Sequence, residues 1–67
     1  MTKIRMLCEL SEVGKKQTDL VRELTSRFGE KITPSELGEI MNGKRQGAKA
    51  DRVKIEVEQI INSWKGT

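Results

Sequence analysis

Apolar residues recur at helical spacing in four blocks, separated by polar stretches that contain glycine. In residues 3–13, Ile4, Leu7, Cys8 and Leu10 fall at the spacing of one helix face, with Glu9 and Glu12 elsewhere and Gly14 as the stop. This pattern turns Ile4, Leu7 and Cys8 towards the core. In residues 17–28, Leu20, Val21, Leu24 and Phe28 form a narrow apolar stripe among Thr18, Asp19, Arg22, Glu23 and Arg27, and Gly29 ends it. A third helix is predicted over residues 33–42 and a fourth over 49–64, where Val53, Val57, Ile60, Ile61 and Trp64 give the most regular period of the chain. Ile55 points away from that stripe, either incidentally or as a contact for a partner. No alternating run predicts a strand. The pattern therefore implies an all-α fold, a compact four-helix domain spanning residues 1–67.

The third block, Ile32 to Gly43, is specified at both ends. Thr33 suits the N-cap, Pro34 the first helical position, and Glu36 the acidic place of a capping box. Ile32 and Leu37 can close a hydrophobic staple, and Gly43 suits the left-handed position after the helix. Leu37, Ile40 and Met41 share one face; Ser35, Glu39 and Asn42 share the other. So short a helix is marginal alone and must be held by its neighbours. Its polar face is either simply solvated or free to touch a ligand.

Composition narrows the chemistry. A chain of 67 residues is near the lower size for folding on one core, and its single cysteine can form no internal disulfide. Cys8 reads as a small buried hydrophobe in a reducing cytosol. The chain has no histidine, which removes the usual zinc sites and most general-base chemistry. Its carboxylates all have cap or solvated-face explanations, and so small a domain leaves little room for a pocket. The expectation is no enzyme, no metal, no cofactor and no small-molecule substrate. No apolar run approaches the roughly 18 residues of a membrane span, and the N-terminal residues do not read as a signal peptide. The expected location is the cytoplasm. The net charge of +3 is concentrated: Lys44, Arg45, Lys49, Arg52 and Lys54 face only Asp51 in that stretch. Such a patch leans towards a polyanion.

Two successive helices joined by a turn can set the second in a major groove while flanking loops grip phosphates. Basic loops at Lys15, Lys16 and at Lys44, Arg45 flank this helical pair, and Lys49 continues the second of them. The residue order Gly14-Lys-Lys-Gln17-Thr-Asp-Leu20-Val21 resembles the G-x-x-Q-x-x-L-A signature of phage-repressor helix-turn-helix proteins of the Cro and XRE type, the lambda-repressor-like family. Leu37-Gly-Glu-Ile40-Met41-Asn42-Gly43-Lys44-Arg45 is similar to that family's passage at the end of the recognition helix.

The resemblance covers roughly residues 4–61 and implies a bacterial or phage transcriptional regulator that binds double-stranded DNA at an operator, as a homodimer at least on DNA. It implies that Gln17, Asn42 and Lys44 bind phosphate. Pro34, Ser35 and Glu39 match positions that face base edges, with Thr33 beside them close to the backbone. Lys15, Lys16, Arg45 and Lys49 join the phosphate set from their place in the basic loops. The interval from Leu20 to Leu37 is longer than the family's usual one, so an extended second helix or turn is expected around Thr25 to Lys31. Lys15 and Lys16 also depart from the family pattern, and there is no room for its usual fifth helix.

Glu36 fits a capping partner better than a base reader, and Trp64 a plug at the end of the last helix better than a stacking platform. Gly38 costs about 1 kcal/mol in a helix relative to alanine; its missing side chain permits close approach either to DNA or to the second helix. A different class also fits the residues: a small helical protein-interaction module, an antirepressor or adaptor, using Ile55 and the extended second helix as its contact surface.

Overall fold

The computed structural model describes residues 1–66 and contains four helices and, among those residues, no strand: α1 (Lys3–Glu12), α2 (Gln17–Phe28), α3 (Pro34–Met41) and α4 (Ala48–Lys65). The limits of α2 are those expected, and the other three helices differ by at most one residue at each end. None of the helices is long and apolar enough to cross a membrane.

Local chemistry sets the ends. The Thr2 hydroxyl accepts the Arg5 amide at 3.3 Å, and the Asp19 carboxylate accepts the Lys16 amide at 2.9 Å in the first turn of α2, where a negative charge suits the helix dipole. Helices α1 and α3 close in the same way. After α1, the Gly14 amide donates to Ser11 and the Lys15 amide to Leu10; after α3, the Gly43 amide donates to Ile40 and the Lys44 amide to Glu39. This paired pattern needs a left-handed residue after the cap, and Gly14 and Gly43 supply it with φ of 71° and 78°. Each closure throws a lysine, Lys15 or Lys44, outward at the helix end.

Short helix α3 is the centre of the packing and contacts α1, α2 and α4. Leu37, Ile40 and Met41 on its inner face meet Met6 and Leu10 of α1, Leu20 and Leu24 of α2, and Val53, Val57, Ile60 and Ile61 of α4 in one buried cluster. Ile32, in the link before α3, is buried in the same cluster, and Val21, Phe28 and Trp64 pack at its edge. The place of Trp64 agrees with the plug expected of it. No polar or charged residue is buried among the described residues, so removal of apolar surface from water is the main contribution to stability.

The face of α1 is the main correction. Ile4, Leu7 and Cys8, expected inside, are exposed, Ile4 by 75%, while Met6 and Leu10 are buried. The helix carries two apolar stripes, Ile4-Leu7-Cys8 and Met6-Leu10-Val13, both at helical spacing. Periodicity alone cannot choose between them. Two tertiary contacts do: the Lys3 amide donates to Asn42 Oδ1 at 3.2 Å, and the Lys3 side chain lies against Gly38. These fix the rotation of α1 so that the Met6 stripe meets α3.

The connection between α2 and α3 runs through residues 29–33, after twelve residues of α2. The turn is tied down: Thr25 Oγ1 accepts the Ile32 amide at 3.1 Å, and Ile32 is 1% exposed.

At the other side of the molecule, the Glu9 carboxylate accepts from Lys65 at the end of α4 and from Arg5. The hydrogen bond from Lys65, with the charges of Lys65 and Arg5, holds the Glu9 carboxyl below the ordinary carboxylate value of 4.5. A depressed folded pKa stabilises the protein above the ordinary value, and that stabilisation is lost as the pH falls through the folded value. Lys65→Met should therefore lower thermal stability at neutral pH by at most about 1 kcal/mol, as for a surface pair. Melting curves should show the gap between the two proteins closing as the pH falls below the ordinary carboxylate value of 4.5.

Candidate nucleic-acid interface

The outer face of α3 is built by its caps. Thr33 Oγ1 accepts the Glu36 amide at 3.1 Å, Pro34 occupies the first turn, and the inward set of Leu37, Ile40 and Met41 leaves Ser35, Glu39 and Asn42 outside. Only half of the expected capping box forms around Glu36. Its carboxylate turns instead to Lys49 at 3.3 Å and Arg45 at 3.7 Å, because the first turn of α4 and the loop before it each bring a cation within reach.

Gln17, at the first position of α2, donates from Nε2 to the Pro34 carbonyl at 3.2 Å. This bond ties the N-terminus of α2 to the first turn of α3. Along the length of α3, an open depression of about 270 Å³ is lined by Lys3, Ser35, Gly38, Glu39, Asn42 and Lys44. Four of the sequence-selected residues, Ser35, Glu39, Asn42 and Lys44, thus share one surface.

Lys3 belongs to that surface and was not among the residues selected from the sequence. A Cβ on Gly38 would stand 3.3 Å from Lys3 Cδ, tighter than ordinary contact. Within the chain, the neighbour that lies against Gly38 is therefore Lys3 of α1 and not the second helix. A lysine two residues after the start of the chain and a glycine within α3 have no sequence pattern that couples them. Only the crossing of α1 over the end of α3 does.

The basic candidates divide into two groups. Lys15 is drawn to α4, its Nζ 5.2 Å from the centre of the Trp64 ring. Arg45 pairs with Glu39 at 2.9 Å as well as with Glu36, and Lys49 pairs with Glu30 at 2.7 Å as well as with Glu36. The hydrogen bond from Glu30, reinforced by Glu36, raises the Lys49 ammonium above the ordinary 10.5, so its proton is held by the protein's own acids. Lys3, Lys16 and Lys44 form no ion pair among the described residues; Lys3 and Lys44 line the depression on the outer face of α3, and Lys16 precedes Gln17 at the start of α2.

Asn42 offers Oδ1 to the first amide of α1, which leaves its amide group as a donor. Glu39 is the one acid on the outer face of α3, and Arg45 neutralises it. The arrangement is an exposed helix face carrying a hydroxyl, a carboxamide and a neutralised carboxylate, with the ammonium groups of Lys3 and Lys44 beside it. It can hydrogen-bond to a flat, polar partner and attract a polyanion. Comparison of the chain with protein-family models, with curated proteins and with solved structures finds no match.

Proposed function

We propose that this chain is a sequence-specific regulator that binds double-stranded DNA, of the phage-repressor helix-turn-helix type, with α2 and α3 as the helix-turn-helix pair and α3 lying in the major groove. The observation that carries the reading is the Gln17 to Pro34 bond, which holds two helix N-termini together beside an exposed polar face bordered by unpaired lysines. Phosphate contacts from Lys3, Lys16 and Lys44 would supply most of the affinity, and Ser35, with Thr33 and Pro34 beside it, the contact with base edges. Glu39 would accept from cytosine N4 only after Arg45 moves to a phosphate; in the free protein the pair is closed. A regulator of this type works in the bacterial cytoplasm and acts as a dimer on two half-sites about one helical turn apart.

A gel-shift titration of the full chain against duplex fragments tests it. Retardation at micromolar protein that weakens steeply with added salt is the expected result, because released counterions dominate such binding. Retardation absent at every salt concentration contradicts the proposal.

Two observations favour a second reading, a helical protein-interaction module. Ile55 is 54% exposed on α4, and two of the candidate phosphate binders, Arg45 and Lys49, are committed to acids. Such a module would pass through a heparin column without salt-dependent retention.

A further inference from the structure

Three carboxylates converge on the basic loop from outside it. Glu30 comes from the link between α2 and α3, and Glu36 and Glu39 come from α3; together they reach Arg45 in the loop and Lys49 in the first turn of α4. Glu36 joins the two halves. Its Oε2 faces Lys49 Nζ at 3.3 Å and Arg45 Nη1 at 3.7 Å, its side chain is only 18% exposed, and it lines with both cations a depression shared with Ile40 and Ala50. Lys44, Arg45 and Lys49 carry three positive charges, and Glu30, Glu36 and Glu39 carry three negative ones, so the basic loop with the lysine that follows it is balanced by acids brought from elsewhere. Exposed pairs of this kind add little to stability. Their larger effect is on what the cations can meet next, because a cation bonded to a carboxylate must leave it before it binds a phosphate.

We infer that Glu30 and Glu36 form an autoinhibitory clamp, an internal competitor that holds Lys49, and with it Arg45, away from the phosphates of DNA. The inference rests on the DNA reading and adds a control of affinity to it. Arg45 has a further holder in Glu39 on the outer face of α3, so the network runs from that face to the start of α4. Lys49 is held by Glu30 at 2.7 Å and by Glu36, which makes it the cleaner reporter of the clamp. On a duplex that α3 reads, base contacts offset the cost of opening these pairs. On unrelated sequence nothing does, so the clamp lowers non-specific affinity and widens the gap between the two. Lys3, Lys16 and Lys44, outside the network, remain available to any polyanion.

Fluorescence anisotropy of the full chain on a labelled duplex of scrambled sequence, at several salt concentrations, is the test, with a circular dichroism melting curve for each variant. Glu30→Gln with Glu36→Gln frees Lys49 and should raise the affinity about fivefold at moderate salt. It should steepen the slope of log affinity against log salt by up to about 0.9, the contribution of one added phosphate contact. Glu12→Gln with Glu58→Gln removes the same charge from exposed acids that form no ion pair among the described residues, and should change the affinity less than about twofold. Lys49→Ala should hardly alter the slope in the wild type and should cancel the gain when added to Glu30→Gln with Glu36→Gln. Equal gains in both double variants would trace the effect to net charge alone and overturn the inference. So would a Glu30→Gln, Glu36→Gln protein that melts lower and keeps the wild-type slope, since the network would then only tie the loop down; the DNA reading would stand. Binding by that double variant where the wild type shows none supports the clamp, and binding by none of these proteins overturns both.

Discussion

Leu37→Ala is expected to leave most of the chain unfolded at room temperature. Leu37 is fully buried at the middle of α3, the helix that contacts all three others, and truncating such a leucine costs about 2–5 kcal/mol. A single core in a chain of this size supplies only about 3–5 kcal/mol of net stability. The loss and the reserve are of the same size. Loss of the helical circular dichroism signal, or of a cooperative thermal transition, would be the readout. Leu37→Met, which nearly conserves volume, should cost less than about 1.5 kcal/mol, and Ile55→Ala on the exposed side of α4 less than about 0.5 kcal/mol. A cooperative melt of Leu37→Ala at the wild-type midpoint would mean that α3 is not the centre of this fold.

Replacing Lys3, Lys16 and Lys44 together by alanine is expected to weaken DNA binding on the order of 100-fold at moderate salt, on every sequence alike. Each phosphate contact contributes about 0.9 to the slope of log affinity against log salt, so three contacts should flatten it by up to about 2.7. All three lysines are exposed or half-exposed and form no ion pair among the described residues, and Lys3→Ala keeps the backbone amide that bonds Asn42, so the buried core should stay intact. Lys49→Ala serves as the contrast. Its ammonium is already shared between Glu30 and Glu36, and it should change the slope by less than a single free lysine does. Fluorescence anisotropy on a labelled duplex at several salt concentrations gives both quantities.

The residues that were legible in the sequence and those that were not differ in a physical way. Helices α2, α3 and α4 each carry one apolar stripe, and their caps are written in adjacent residues: Thr33 and Pro34 start α3, and Gly43 ends it. Such signals are local, so a reading of neighbours recovers them. Helix α1 carries two stripes, and the choice between them rests on Asn42 and Gly38, which are far away in sequence. For that reason Cys8 was expected inside and is exposed, and Met6 was passed over and is fully buried.

The candidate surface divides along the same line. Ser35, Glu39 and Asn42 share a face because helical periodicity says so, whereas Lys3 joins them only through the crossing of two helices. Nor could spacing show that Lys49 and Arg45, two prominent bases of the positive stretch, are held by Glu30, Glu36 and Glu39. Ion pairs between a loop and a helix depend on how α4 enters the packing, and residues 44–47 carry no apolar anchor from which that entry could be read.

The central claim is that the outer face of α3 reads DNA sequence, and Ser35 isolates it, since its hydroxyl is exposed and holds neither a cap nor the core. Selection from a pool of randomised duplexes, run in parallel with the wild type and with Ser35→Ala, measures that claim directly. The wild type should enrich one recurring site. Ser35→Ala should enrich a site relaxed or altered at one or two positions, with the same salt-dependent affinity for unrelated sequence. A wild-type pool that stays random, or two proteins that enrich the same site with the same preference at every position, would contradict it.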